Sequence, residues 1–112
     1  MIEQKDLLLV PFPFSDQSGR KVRPVIVISH NEFNEHSEDL IVIGVTSNIS
    51  KSLYTLKFGN KDLEEGKLIT PCVIKCENIL RLDRNLIIKK IGKIKDDKAI
   101  QIIKILNKIM RV

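Results

Sequence analysis

The sequence predicts a mainly β, α+β fold: a small barrel or sandwich of short strands, closed by one C-terminal helix. Five or six short runs rich in aliphatic and β-branched residues are separated by polar turn segments across the first 90 or so positions. After that stretch the hydrophobic period changes from that of strands to that of a helix. The chain has 112 residues, which fits one compact domain over 1–112 and leaves no room for two.

Asp6–Phe12 reads as the first strand, with Leu7, Leu8, Leu9 and Val10 in succession. Pro11 and Pro13 each remove a backbone donor, so this strand must end or lie at an edge. Ser15-Asp16-Gln17-Ser18-Gly19 is a turn by composition. Val25–Ser29 opens with four consecutive aliphatics and reads as a buried strand, as does Leu40–Thr46. Between them Asn31–Asp39 is polar and acidic and reads as a loop. Leu53–Phe58 alternates like a half-exposed strand, and Asp62–Gly66 reads as a turn. Cys72–Cys76 and Leu86–Ile91 complete the strands.

In the last segment Ala99, Ile102, Ile103, Leu106, Ile109 and Met110 recur at helical spacing on one face. Asp96 and Asp97 stand where an N-cap and a favourable first-turn charge belong, and Lys108 and Arg111 suit the C-terminal end of the dipole. Ile100 and Ile105 lie off the main stripe and widen the apolar face, which points to burial on two sides.

No run approaches the roughly 20 apolar residues of a membrane span. The N-terminus, Met-Ile-Glu-Gln-Lys-Asp, lacks the basic region and apolar core of a signal peptide, so a cytoplasmic location is expected. The net charge of +5 favours a polyanionic partner, because each phosphate contact releases counterions. Aromatic residues are few (Phe12, Phe14, Phe33, Phe58 and Tyr54), which argues against a sheet that binds RNA chiefly by base stacking.

Residues able to do chemistry are sparse. Cys72 and Cys76 form one pair with no histidine pair near it, so a zinc site is not expected. At period two both cysteines face the same side of a strand and read as small apolar filler. His30 and His36, the only histidines, have no His or Cys partner and read as surface loop residues. No Ser/His/Asp set, glycine-rich phosphate loop or carboxylate cluster stands out. Arg23 precedes Pro24, which holds it extended at the mouth of a buried strand, a position from which a guanidinium can grip a phosphate. Thr46 and Ser47 end another strand, where hydroxyls can reach phosphate oxygens. The residues alone stop at a basic β domain with phosphate-binding capacity; a solvated arginine and a turn-capping hydroxyl pair fit the same local sequence.

Three segments carry a resemblance. "VPFPFSDQSGRKVRPVIVIS" (10–29), "DLIVIGVTSN" (39–48) and "ENILRLDRNLIIKKIGKI" (77–94) together resemble the PemK/MazF family of toxin endoribonucleases, in order and nearly end to end, with Thr46 twenty-three residues after Arg23. The resemblance implies an SH3-like small β-barrel with a C-terminal helix, assembled as a homodimer. It implies a type II toxin that cleaves single-stranded RNA without a metal or other cofactor: the ribose 2′-OH attacks the adjacent phosphate, leaving a 2′,3′-cyclic phosphate and a 5′-OH. It also implies an acidic cognate antitoxin, in part disordered, that folds over the basic groove.

Arg23 and Thr46 align with the family's catalytic arginine and threonine. The resemblance assigns Arg23 to charge neutralisation at the transition state and protonation of the leaving oxygen, and Thr46 to fixing the phosphate for in-line attack. Ser47, Asp16, Arg20, Lys21 and Phe14 are the expected substrate-binding residues. An arginine is a poor base, and Ser18 stands about where many members carry a turn glutamate, so the resemblance implies another group in that place, Asp16 being one candidate, and the base stays open. Cys72 falls near a position where many members have serine, and Leu80 near one where many have arginine. Two other readings are compatible with the barrel: a non-catalytic SH3-like nucleic-acid or peptide binder, and a toxin that inhibits gyrase.

Overall fold

The computed structural model describes residues 1–12, 21–49 and 53–112, with the side chain of Phe12 left aside. Among these residues seven strands form one antiparallel sheet: β1 (Asp6–Phe12), β2 (Lys21–Val27), β3 (Asp39–Thr46), β4 (Thr55–Phe58), β5 (Leu63–Gly66), β6 (Cys72–Asp83) and β7 (Lys89–Ile94). Their order across the sheet is β4-β6-β3-β2-β1-β7-β5. Helices α1 (Asn31–His36) and α2 (Asp96–Ile109) and short 3-10 turns at Asn60–Asp62 and Arg84–Leu86 complete the described residues.

The sheet is curled into a half-barrel. One apolar cluster draws side chains from all seven strands, among them Leu7, Ile26, Ile43, Phe58, Leu63, Ile74 and Ile94, and adds Ile102 and Leu106 of α2. A flat sheet could not bring its two edge strands to one core. A second cluster, Leu8, Val10, Val25, Val27, Leu40, Val42 and Leu82, lies on the other face of β1, β2, β3 and β6. The alternation Leu7/Leu8 and Ile26/Val27 follows from the two-residue period of a strand buried on both sides.

Strand β1 matches the range expected from the sequence, and β3 differs by one residue. β2 runs Lys21–Val27 rather than Val25–Ser29, β4 begins at Thr55 rather than Leu53, and β6 continues past Cys76 to Asp83. Three further segments differ as well. Residues 31–36 are helical rather than a loop. His30 caps α1, its Nδ1 accepting from the Glu32 N–H at 3.2 Å. Asn34 is buried, donating to the Ser29 carbonyl at 2.9 Å and accepting from Ser29 Oγ at 2.5 Å. Arg84 donates to the Asn34 and Ser37 carbonyls at the far end of the helix. The helix is held by polar tertiary contacts and carries no apolar stripe, so its period gave no signal. His30 and His36 are exposed, as expected, but belong to this helix and its cap.

The segment read as a turn at Asp62–Gly66 is a 3-10 turn followed by edge strand β5. Leu63 pairs with Ile94 and enters the core while Glu64 and Glu65 stay outside. Leu86 lies in the second 3-10 turn, outside β7, which extends instead to Ile94. In α2, Lys95 occupies the N-cap without a side-chain bond, and Asp96 and Asp97 both fall in the first turn. The helix packs through Ala99, Ile102, Ile105, Leu106 and Ile109, whereas Ile100, Ile103 and Met110 remain exposed. The buried stripe is therefore rotated slightly from the one read in the sequence. Cys72 and Cys76 are both free and buried in the first cluster, and burial pushes the Cys76 thiol up to about 11.

The two ends of the described fold are tied by charge. Lys5 sits at φ 79°, in the left-handed region, where its N–H donates to the Val27 carbonyl. Asp6 secures this turn: it is fully buried, and its Oδ2 accepts from the Glu3 N–H at 2.8 Å. Its Oδ1 lies 3.3 Å from the Lys90 ammonium and 3.8 Å from that of Lys93. Lys5 in turn bonds Asp96 at the start of α2 at 2.5 Å, and Lys93 bonds Glu3 at 3.0 Å. The lysine bond holds the Asp96 carboxyl below its ordinary value, and Glu3 is lowered likewise by Lys93.

Replacing Asp6 by alanine removes the buried carboxylate that Lys90 and Lys93 share and that accepts from the Glu3 N–H. The expected loss is about 2–3 kcal/mol, read as a lower urea midpoint with unchanged slope. A depressed carboxylate stabilises the fold above its unfolded pKa, and that contribution is lost as pH falls through the folded value. Asp96→Asn should therefore be less stable than the parent at neutral pH. The gap should close as acid is added below 3.8, the ordinary value for this carboxyl. A gap that persists at about pH 2 would show that the Lys5 contact does not carry it.

Candidate active site

Arg23 lies on β2 opposite Val10 of β1, and Thr46 ends β3. Val25 pairs with Gly44 on β3. Two residues on from that pair in each strand, on the same face of the sheet, lie Arg23 and Thr46. The fold brings their side chains together: Arg23 Nη1 donates to Thr46 Oγ1 at 3.3 Å. Thr46 Oγ1 also accepts from the Asn48 N–H at 3.1 Å. With its lone pairs engaged by two donors, the threonine hydroxyl presents its own proton to a further acceptor. The outcome is a guanidinium and a hydroxyl donor side by side, both half-buried, on rigid strands.

Arg23 forms a wall common to two depressions. The larger, about 830 Å³, opens from the mouth of the half-barrel, since Val45, Leu68 and Cys72 belong both to its lining and to the first core cluster. Lys21, Lys67, Lys89 and Lys90 also line it. The smaller, about 190 Å³, lies on the outer face and is lined by Arg23, Pro24, Gly44, Thr46, Lys75 and Asn78 among others. Successive residues of a strand point to opposite sides, and accordingly Thr46 lines the smaller depression and Ser47 the larger.

Of the expected substrate-binding residues, Lys21 and Ser47 line the larger depression together with Arg23. Phe14, Asp16 and Arg20 fall on positions 13–20, outside the described residues. Lys75, Asn78 and the lysines of β7 were not singled out from the sequence. The alternation Cys72-Val73-Ile74-Lys75-Cys76 already marks Lys75 as the one charge in an otherwise apolar run of five residues. Its neighbours, however, depend on pairing across the sheet. Among the described residues, no group of three or more His, Cys, Asp or Glu side chains converges as a metal-ligand set would.

Gly44 shapes the smaller depression. A Cβ at this position would stand 2.5 Å from the Asn78 side-chain nitrogen. The pairing of β3 with β6 shifts here: Ile43 faces Ile79 but Gly44 faces Lys75, so Cys76, Glu77 and Asn78 bulge. The bulge turns the Asn78 amide over the bare glycine, beside Thr46.

A family model described as "PemK-like, MazF-like toxin of type II toxin-antitoxin system" matches residues 3–110. The chain belongs to this family. A curated relative, the endoribonuclease MazF of Staphylococcus saprophyticus, is 32% identical over 92 residues, covering 80% of this PemK/MazF-like chain and 72% of the relative. The fold is also that of solved structures at low identity. A MazE–MazF complex from Deinococcus radiodurans has a TM-score of 0.78 at 17% identity, covering 97% of this chain and 95% of that one. An endoribonuclease in complex with its cognate antitoxin, from a mycobacterial species, has a TM-score of 0.77 at 15% identity, covering 96% and 93%.

The obstacle to a methyl group at Gly44 is the tip of a flexible side chain, so Gly44→Ala should fold. Its stability is expected within about 1 kcal/mol of the parent. A crystal structure of the variant should show the Asn78 amide swung away from position 44; an unmoved amide would contradict the close packing.

Proposed function

We propose that this PemK/MazF-like toxin is an endoribonuclease that cuts single-stranded RNA with Arg23 and Thr46, using no metal or cofactor. The observation that carries the reading is the contact between Arg23 Nη1 and Thr46 Oγ1 at the boundary of two depressions. The scissile phosphate sits over this pair. Thr46 donates its hydroxyl proton to a non-bridging oxygen, and Arg23 donates N–H bonds to the charge that builds up as the phosphorane-like transition state forms. Holding the phosphate between two strand ends aligns the 2′-oxygen with the departing 5′-oxygen. The 2′-O–P bond forms, the P–O5′ bond breaks, the 2′-OH proton leaves to a base, and the 5′-oxygen takes up a proton. The products are a 2′,3′-cyclic phosphate and a 5′-OH, and DNA, which has no 2′-OH, is not cut.

The larger depression suits the strand on one side of the cut. Its apolar lining, including Leu9, Val22 and Ile69, accepts a base, while Lys21, Lys67 and Lys89 follow the backbone. The same surface suits the antitoxin: a disordered acidic segment with apolar anchors would meet exposed Val22 and Ile69 between lysines. Exposed Ile100, Ile103 and Met110 on the outer side of α2 support a homodimer. The reaction is placed in the cytoplasm, where RNA is met.

The test is primer-extension mapping of RNA incubated with the purified protein in EDTA. Cuts at defined positions, with 2′,3′-cyclic ends, are expected from the parent. Arg23→Ala and Thr46→Ala should each lower kcat by about 10²–10³-fold with the fold intact. Intact RNA after prolonged incubation, or full activity in both variants, would end this reading.

A further inference from the structure

The smaller depression contains a second cation. In β6, Cys72, Ile74 and Cys76 point into the first cluster, which sends Lys75 to the opposite face. The register sets Val25 against Gly44 and Gly44 against Lys75, while Thr46 faces Val73. Arg23, Thr46 and Lys75 therefore stand on one face of three successive strands and line one depression.

Some lysines of the described fold are held by carboxylates, and Lys75, like Lys21 and Lys57, is not among them. Lys90, Lys93 and Lys98 are each held by carboxylates: Lys90 by Asp6 and Glu65, Lys93 by Glu3 and Asp6, Lys98 by Asp62. Lys75 joins none of the ion pairs formed among the described residues. It is half-buried, so its stem lies along the wall of the depression and the ammonium is carried at the tip. With Arg23, Lys75 places a second positive charge on the lining of a space of about 190 Å³, which favours an anion there.

We infer that Lys75 is a further catalytic residue: its ammonium contacts the non-bridging oxygen of the scissile phosphate that faces away from Arg23. This rests on the ribonuclease reading above. As the 2′-oxygen attacks, the phosphate gains negative charge, and Lys75 neutralises the part that Arg23 does not reach. No proton leaves Lys75 in this step; the ammonium is the same before and after the P–O5′ bond breaks. Its flexible point charge complements the fixed fork of the arginine. The Asn78 amide, turned over Gly44 by the bulge, closes the adjoining side of the depression.

The experiment measures steady-state cleavage of a short RNA by the parent, Lys75→Met, Lys75→Arg and Lys61→Met. Lys61→Met removes the same charge from an exposed 3-10 turn outside both depressions. Lys75→Met should lower kcat on the order of tenfold to a hundredfold while KM stays within about twofold. Lys75→Arg should recover most of the rate, and Lys61→Met should match the parent. Equal melting temperatures would exclude a folding effect. The role is overturned if Lys75→Met cuts at the parental rate, if only KM changes, or if Lys75→Arg fails as fully as methionine. A parent that leaves RNA whole sinks the ribonuclease reading and this role together. A parent that cuts beside an unimpaired Lys75→Met sinks this role alone.

Discussion

The antiparallel register linking β2, β3 and β6 is the constraint on which the site depends. It is fixed from below by packing. Val25, Val27 and Val42 are buried on the outer face, while Ile26, Ile43 and Ile74 are buried on the inner one. A slip of one residue would turn both sets over at once, and neither cluster would survive it. Because the strands are committed on both faces, the polar residues that follow at their ends have no freedom of their own. Arg23 and Thr46 meet because the aliphatic residues before and after them have already been placed.

Charge is distributed with the same economy. Buried Asp6 holds Lys90 and Lys93, Lys5 reaches across to the start of α2, and Asp62 holds Lys98. These pairs stitch the N-terminal turn to β7 and α2 and use up cations on that side of the molecule. The lysines that remain around the mouth of the half-barrel give the net charge of +5 a direction. The exposed pairs among them, such as Lys5 with Asp96, add little stability individually. Their larger effect here is to leave the field concentrated where Arg23 stands.

Much of this was legible in the residues, and the limits have physical causes. The strands with aliphatic runs and the final helix were readable because burial imposes a period. Helix α1 was not, because it is secured by Asn34, Ser29 and Arg84 rather than by an apolar face. Strand β5 was hidden because only Leu63 of its four residues is buried. Arg23 and Thr46 came from likeness to a family; local sequence could not tell them from a solvated arginine and a turn threonine. Lys75 and Asn78 became visible only through cross-strand pairing and the bulge, which involve contacts some thirty positions apart.

The sheet ends in two short borders, β4 and β5, of four residues each. On β5 the outward residues are Glu64 and Glu65, and Gly66 closes the strand at φ 88°. Borders so brief and so charged make poor templates for adding a foreign strand. The chain thus carries in its outline a safeguard against sticking to its own copies as a cross-β aggregate.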